Sequence, residues 1–167
     1  VLHLRSRRQR QMCKETAPKE AVEQAGATTK VVSTETGEIE GKKGAKVAVD
    51  VTTADAKAAD YDALILPGGT LNADAIRVDS DAVALVKAFK DAGKPIGVIC
   101  HGGWIMTDAD ILKDVKITSV ANVKTDLVNA GAEWVDEEVV IDSGVISSRT
   151  PDDLPAFNAA LVEEFAK

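Results

Sequence analysis

The chain has 167 residues, 45% of them hydrophobic, enough for one domain that buries roughly two thirds of its unfolded surface. Its net charge of -7 argues against general nucleic-acid binding, which needs a surplus of lysine and arginine. Two cysteines, Cys13 and Cys100, are too few for a disulfide framework, and no apolar run approaches the length of a membrane span. We therefore expect a cytoplasmic protein with no membrane partner.

Residues 1–14 differ in charge from the rest of the chain. They hold four of the six arginines and no acid, a net charge of +5, whereas residues 15–167 carry -12. Three interpretations stand: a basic arm for nucleic acid or an acidic partner, a remnant of a targeting peptide, or residues from outside the natural reading frame. We treat residues 1–14 as an anomalous segment and residues 15–167 as a single domain.

Strand-like and helix-like patterns then alternate at short spacing, which is typical of βαβ proteins. Residues 16–25 predict a helix that ends at Gly26. β-branched runs at 29–33 and 47–51 predict strands joined by a turn-rich hairpin or excursion.

Continuous apolar runs at 62–69 and 94–100 predict central parallel strands that are buried on both faces. Shorter strands are predicted at 116–120, 132–135, 138–142 and 145–148, the last two forming a hairpin.

Two further helices have clear end signals. Residues 79–92 place apolar side chains at helical spacing, and Gly93 follows as a left-handed stop. Near the C-terminus, Thr150 is the predicted N-cap, with Pro151 at the first helical position and Asp153 as the capping acid. The predicted buried stripe of that helix is Leu154, Phe157, Leu161 and Phe165.

Two unusual sequences follow the two central strands: Leu-Pro-Gly-Gly at 66–69 and Cys-His-Gly-Gly at 100–103. Ligands and catalytic groups collect at the carboxyl ends of strands in an open parallel sheet. If the strands are neighbours, Gly68 and Gly69 face Cys100 across a crevice, and this edge is the predicted site.

Cys100 has two interpretations. Buried free cysteines commonly serve as small hydrophobic residues. A cysteine at a tight strand-to-helix turn is instead exposed at the sheet edge on a strained backbone, the arrangement of a nucleophile elbow. A helix that begins near Gly102 would direct amides at the sulfur and lower the thiol pKa below its usual value of about 8.5. The position favours the second interpretation.

His101 is either a structural, hydrogen-bonded histidine or the general base for Cys100. Its amide and that of Gly69 are the natural donors to an oxyanion. We expect no metal site, because no second histidine or paired thiol lies at ligand spacing, and no cofactor, because the glycines lack a GxGxxG pattern or Walker lysine.

Several stretches together resemble the PfpI family of intracellular cysteine peptidases, in the DJ-one superfamily with its class I glutamine amidotransferase-like fold. They are "YDALILPGG", "GKPIGVICHG", "KITS", "DLVNAGAEWVDEEVVID" and "SSRTPDDLPAFN", and the likeness runs from about Thr16 to the C-terminus. The resemblance implies a flavodoxin-like three-layer α/β/α sandwich with a central, mostly parallel sheet, and a homodimer that sometimes forms a hexamer. Members are associated with stress protection and described as proteases, chaperones or deglycases.

The resemblance also assigns roles. Cys100 matches the elbow cysteine, His101 the adjoining histidine, and Gly69 and His101 the positions whose amides form the oxyanion hole. In protease-like members an acid from a neighbouring subunit completes a triad, and Asp74 falls at that position, one methylene shorter than the usual glutamate. The alternative for Asp74 is a solvated loop acid.

The remaining candidates lie around this centre. Gly68 and Gly102 are predicted to line the pocket, and Trp104 to join the helix core and the pocket wall. Arg149 is predicted to pair with an acid near the C-terminal helix. Trp134 and Tyr61 are predicted to be packing or interface residues.

The start of the chain departs from the family pattern. Arg-rich sequence stands at the first strand, and Gln11 stands where the family has the glutamate that hydrogen-bonds the thiol. A glutamine can bond to sulfur but cannot share a titratable proton with it. Either this chain lost the thiol-bonding glutamate or residues 1–14 arise from a reading-frame error. Glu15 is the one nearby acid and is a weak substitute for that glutamate. Cys13 lies in the same segment, so the reading-frame question applies to it as well.

These observations predict a cofactor-free, stress-related cysteine hydrolase that acts on peptides, glycated proteins or small carbonyl compounds. The alternative is a redox-sensing or chaperone-like protein whose Cys100 is oxidised without efficient turnover. Nucleic-acid binding through the basic arm is a weaker third hypothesis.

Overall fold

The computed structural model describes residues 1–5, 16–40 and 46–167. The strands are β1 (Leu2–Leu4), β2 (Lys30–Ser33), β3 (Glu38–Glu40), β4 (Lys46–Ala48), β5 (Val51–Thr52), β6 (Leu64–Leu66), β7 (Ile96–Ile99), β8 (Lys116–Ile117), β9 (Glu133–Trp134), β10 (Val139–Asp142) and β11 (Val145–Ser148). The helices are α1 (Ala17–Gln24), α2 (Thr70–Ile76), α3 (Ser80–Asp91), α4 (Trp104–Asp108), α5 (Lys124–Asn129) and α6 (Leu154–Phe165).

The central sheet has the strand order β10-β11-β7-β6-β1-β2-β5, and every neighbouring pair is parallel except the edge hairpin β10–β11. Two small pairs, β3–β4 and β8–β9, lie outside this sheet. A hairpin or excursion was predicted between the runs 29–33 and 47–51, and the antiparallel pair β3–β4 forms there. The run 47–51 was predicted as one strand but divides between β4 and β5. The mostly parallel sheet of the predicted flavodoxin-like fold is confirmed.

Helices cover both faces of the sheet. On β6, Leu64 and Leu66 join a core with α2, α3 and α4, while the intervening Ile65 joins a second core with α1 and α6. Successive strand residues point to opposite faces, so a strand covered on both sides is apolar throughout. All three side chains are at most 2% exposed, and each such burial contributes about 1.5–3 kcal/mol.

Helix α3 has the predicted ends. The Asp79 carboxylate accepts a hydrogen bond from the amide of Ala82 at 2.7 Å, which satisfies one of the unpaired amides of the first turn. Gly93 has a φ of 67°, the left-handed conformation that ends the helix.

The predicted start of the last helix needs correction. Thr150 precedes a short 3-10 turn, Pro151–Asp153, and its side chain caps nothing. The Asp153 carboxylate instead accepts hydrogen bonds from the backbone amide and guanidinium of Arg149, so it anchors that side chain. Helix α6 begins only at Leu154.

The first strand also differs from expectation. Leu2–Leu4 lies between β2 and β6 near the middle of the sheet, so an apolar strand stands before the arginines rather than being replaced by them. Of the four arginines, only Arg5 lies within the described residues. The reading-frame hypothesis remains a prediction, which peptide mass mapping of residues 1–15 would test.

His3 in β1 makes stability sensitive to acid. It is fully buried, and among the described residues neither ring nitrogen has a hydrogen-bond partner. Burial lowers the pKa of His3 well below the usual 6.5, with smaller contributions from the charges of Arg5 and Lys19. As the pH falls below 6.5 the unfolded chain therefore binds a proton that the folded chain does not, and stability falls by up to about 1.4 kcal/mol per pH unit.

We expect His3→Leu to remove this loss of folding stability at acid pH. Urea unfolding at pH 7 and pH 5 measures it, with His101 present in both proteins. A variant that loses as much stability as the wild type between these pH values would show that His3 is not the source.

Candidate active site

The two glycine-containing strand ends meet at one edge of the sheet. β6 and β7 are parallel neighbours, with Leu66 paired to Val98, so the residues that follow them lie side by side. A Cβ atom on Gly68 would lie only 2.8 Å from Cys100 Cβ and 3.5 Å from its Sγ. The backbone of 67–69 therefore lies directly against Cys100, and a side chain at Gly68 would displace it.

Cys100 occupies a strained backbone position. Its φ is 61°, a region that residues other than glycine rarely adopt. The strain agrees with the elbow interpretation, but the expected exposure was wrong, because the residue is buried at 9% exposure. A 3-10 turn, Cys100–Gly103, follows immediately and continues into α4. The helical turn thus begins at Cys100 itself, two residues before the predicted start.

Gly102 allows the turn to pack on the neighbouring strand end. A Cβ atom there would lie 2.7 Å from the Leu66 carbonyl oxygen and 2.9 Å from that of Pro67. At Gly103 the nearest atoms would be Leu127 methyl groups at 3.5 and 3.7 Å, an ordinary contact. Glycine is required at the first position and not at the second.

The His101 ring links the cysteine to α2. Its Nδ1 lies 3.2 Å from Cys100 Sγ, and its Nε2 lies 3.4 Å from Thr70 Oγ1. Burial lowers the pKa of His101 below the usual 6.5, which favours the neutral ring. With its proton on Nε2 the ring accepts from the thiol at Nδ1 and donates to the Thr70 hydroxyl, and with its proton on Nδ1 both directions reverse. General-base catalysis at the thiol requires the first of these tautomers.

Trp104 begins α4 beside this histidine. The two ring centroids are 5.6 Å apart in an edge-to-face arrangement. The indole N–H donates to Asp126 Oδ2 at 2.6 Å. Trp104 packs against the core, as predicted, and its place in a pocket wall stays a prediction.

Asp74 is exposed and lies on helix α2. The alternative interpretation, a solvated loop acid, is therefore wrong about the loop. Within the described part of the chain, no hydrogen bond joins Asp74 to His101. Gln11, Cys13 and Glu15 lie outside the described residues.

Sequence reasoning missed Thr70 and Asn72. Thr70 contacts His101, and the buried Asn72 donates its amide to the Pro67 and Gly68 carbonyls at 3.5 and 3.4 Å. Their signal was their position directly after Leu-Pro-Gly-Gly, where a side chain must lie at the same sheet edge as Cys100.

Arg149 forms the predicted ion pair, donating to Asp153 and to Asp136 Oδ1 at 2.8 Å. It directly follows Ser148, which pairs with Ile99 immediately before the cysteine. A cavity of about 280 Å³ opens here, lined in part by Val120, Trp134 and Arg149. Open volume thus lies at the same sheet edge as the thiol.

The described residues hold no group of three or more His, Cys, Asp or Glu side chains arranged for a metal ion. Within the same ranges, no helix combines the length and apolarity that crossing a membrane requires.

Similarity to known proteins extends over most of the chain. A Bacillus subtilis protein named "Putative cysteine protease YraA" is 43% identical over 144 residues, 86% of this chain and 85% of that protein. An uncharacterized Staphylococcus epidermidis protein is 47% identical over 152 residues, 89% and 88% of the two chains.

Solved structures agree with the fold. A ThiJ/PfpI domain protein from Brachyspira murdochii superposes with a TM-score of 0.91 at 27% identity, covering 99% of this chain and 95% of its own. Schizosaccharomyces pombe DJ-1 superposes with a TM-score of 0.86 at 24% identity, covering 100% and 92%. The sequence model of the DJ-1/PfpI family matches residues 11–164, and the chain belongs to the DJ-1/PfpI family.

Proposed function

We propose that this protein is a stress-related cysteine hydrolase that uses Cys100 as its nucleophile. The observation that carries the proposal is the pairing of a strained, buried cysteine with an imidazole whose Nδ1 lies 3.2 Å from the sulfur. Strained residues beside a titratable partner cluster at active sites. The relative named a cysteine protease supports the same reaction class.

The proposed reaction is acyl transfer. His101 Nδ1 takes the thiol proton as Cys100 Sγ attacks a carbonyl carbon, and the carbonyl π electrons move to oxygen. The amides of Gly69 and His101 stabilise that oxyanion. Collapse expels the leaving group, which takes the proton from His101, and water then hydrolyses the thioester to release acid and thiol.

The proposed substrates are peptides, to which this acyl-transfer sequence applies, or glycated proteins and small carbonyl compounds. The latter two have no acyl leaving group, so there the first step is addition of Cys100 Sγ to the carbonyl carbon, with the thiol proton passing through His101 to the oxygen. A homodimer, in some assemblies part of a hexamer, would let the exposed Asp74 of one subunit orient His101 of another. A cytoplasmic location belongs to the same proposal, because a reducing compartment keeps the Cys100 thiol free.

The test is the pH dependence of hydrolysis by the wild-type protein on peptide and glycated substrates. Because protonated His101 cannot accept the thiol proton, kcat/KM should fall on the acid side with an apparent pKa below 6.5. Absence of hydrolysis of both substrate classes at a verified oligomeric state would contradict the proposal. Stable peroxide oxidation of Cys100 with no turnover would favour the redox-sensing alternative.

A further inference from the structure

The indole of Trp104 makes a third contact with the His101 ring. The two ring nitrogens are directed at Cys100 Sγ and Thr70 Oγ1, and the second of these contacts, at 3.4 Å, is long. Because that contact is long, it holds the ring only weakly against a tilt about its Cβ–Cγ bond. The edge-to-face packing of the indole, with an interplanar angle of 67°, restricts that tilt.

The indole is itself held from two sides. Its N–H donates to Asp126 Oδ2 on α5 at 2.6 Å, and the Arg77 guanidinium, at the end of α2, lies 5.2 Å from the ring centroid. Arg77 is fixed in turn by Asp108 on α4, with Nε 2.8 Å from Oδ2. Two groups from outside α4, one on α5 and one at the end of α2, thus hold one half-buried tryptophan.

We propose that Trp104 is a positioning residue for His101, and that Asp126 and Arg77 form the clamp that fixes the indole. The inference rests on the proposed function, because the ring matters only if it must stay aligned with the thiol. Misplacing a reacting group by about 1 Å can cost roughly 100-fold in rate. The titratable and charged groups on the surrounding elements are Cys100, Asp74, Arg77, Asp108, Lys124 and Asp126.

A test that needs no substrate is an NMR titration of the histidine side chains. The chain has two histidines, so His3→Leu assigns the His101 signal directly. In Trp104→Phe, which keeps an aromatic ring but loses the indole N–H, the His101 pKa should rise toward the usual 6.5 as water reaches the ring. In hydrolysis assays the same variant should lower kcat about 10-fold and leave KM within about twofold.

Trp134 provides the matched control. Its indole N–H also donates to a side chain, Ser119 Oγ at 2.9 Å, and a cation, Lys124, lies 4.5 Å from its ring centroid. Trp134→Phe should leave the pKa of His101 at its wild-type value. Asp126→Asn should behave like wild type, because the amide oxygen still accepts the indole hydrogen bond, whereas Asp126→Ala should reproduce the effect of Trp104→Phe.

An unchanged His101 titration in both Trp104→Phe and Asp126→Ala would overturn the inference. Equal shifts in Trp104→Phe and Trp134→Phe would also overturn it, since they would indicate general loosening. If Trp104→Phe does not fold, Asp126→Ala with its Asp126→Asn rescue decides the question. The titration is informative even if the wild type hydrolyses nothing, so failure of the proposed function and failure of this inference are distinguishable.

Discussion

Cys100→Ser should lower kcat/KM for hydrolysis by at least about 1,000-fold, because a serine hydroxyl is far less acidic than a thiol and a single neutral imidazole activates it poorly. The fold should survive, because serine is nearly isosteric with cysteine and would occupy the same backbone conformation, with its φ of 61°. Steady-state kinetics give the rate, and circular dichroism with thermal unfolding verifies the fold.

Cys13→Ser is the matched control, because these are the two cysteines of the chain. It removes a thiol at a position to which no catalytic role is given. A Cys100→Ser protein that retains more than about a tenth of the wild-type rate would be inconsistent with covalent catalysis by this residue.

Gly102→Ala should be the most damaging single-methyl change near the site. The added Cβ would meet two backbone carbonyl oxygens at 2.7 and 2.9 Å, and neither can move without shifting the end of β6. Overpacking of this kind typically costs 1–3 kcal/mol, and we expect the unfolding free energy to fall by about that amount. Hydrolysis should also fall, since any shift moves Gly69 relative to Cys100.

Gly103→Ala is the adjacent control. Gly103 has helical dihedrals, φ -65° and ψ -16°, and an added Cβ would make only ordinary contact with Leu127. Its unfolding free energy should stay within about 0.5 kcal/mol of wild type. Equal denaturant midpoints for the two alanine variants would contradict the close packing described for Gly102.

The sheet was largely predictable from sequence because its central strands are buried on both faces. Runs such as 62–69 and 94–100 are therefore apolar without alternation, and little else in the chain resembles them. Helix α3 was predictable because local signals, Asp79 and Gly93, define its ends.

Helices α2 and α5 were not predicted. They are seven and six residues long, too short for an apolar periodicity to emerge, and neither has a side-chain cap. The first strand was missed for a related reason, since its three residues precede a much longer arginine-rich stretch.

At the site, the sequence identified the residues on the two strand ends but not the contacts between distant residues. The interaction of Thr70 with His101 spans 31 positions and exists only because β6 and β7 are neighbours. The hydrogen bond from Trp104 to Asp126 likewise depends on how α4 packs against α5. Neither helix packing nor side-chain direction has a local sequence signal.

The most direct test of the central claim is the pH dependence of alkylation at Cys100 in the folded protein, read by peptide mass mapping. A reactive cysteine beside His101 should alkylate with an apparent pKa well below about 8.5, and His101→Gln should raise it. If Cys100 instead resists alkylation until strongly alkaline pH, while the unfolded chain reacts normally, the cysteine is a packing residue and the proposed nucleophile is wrong.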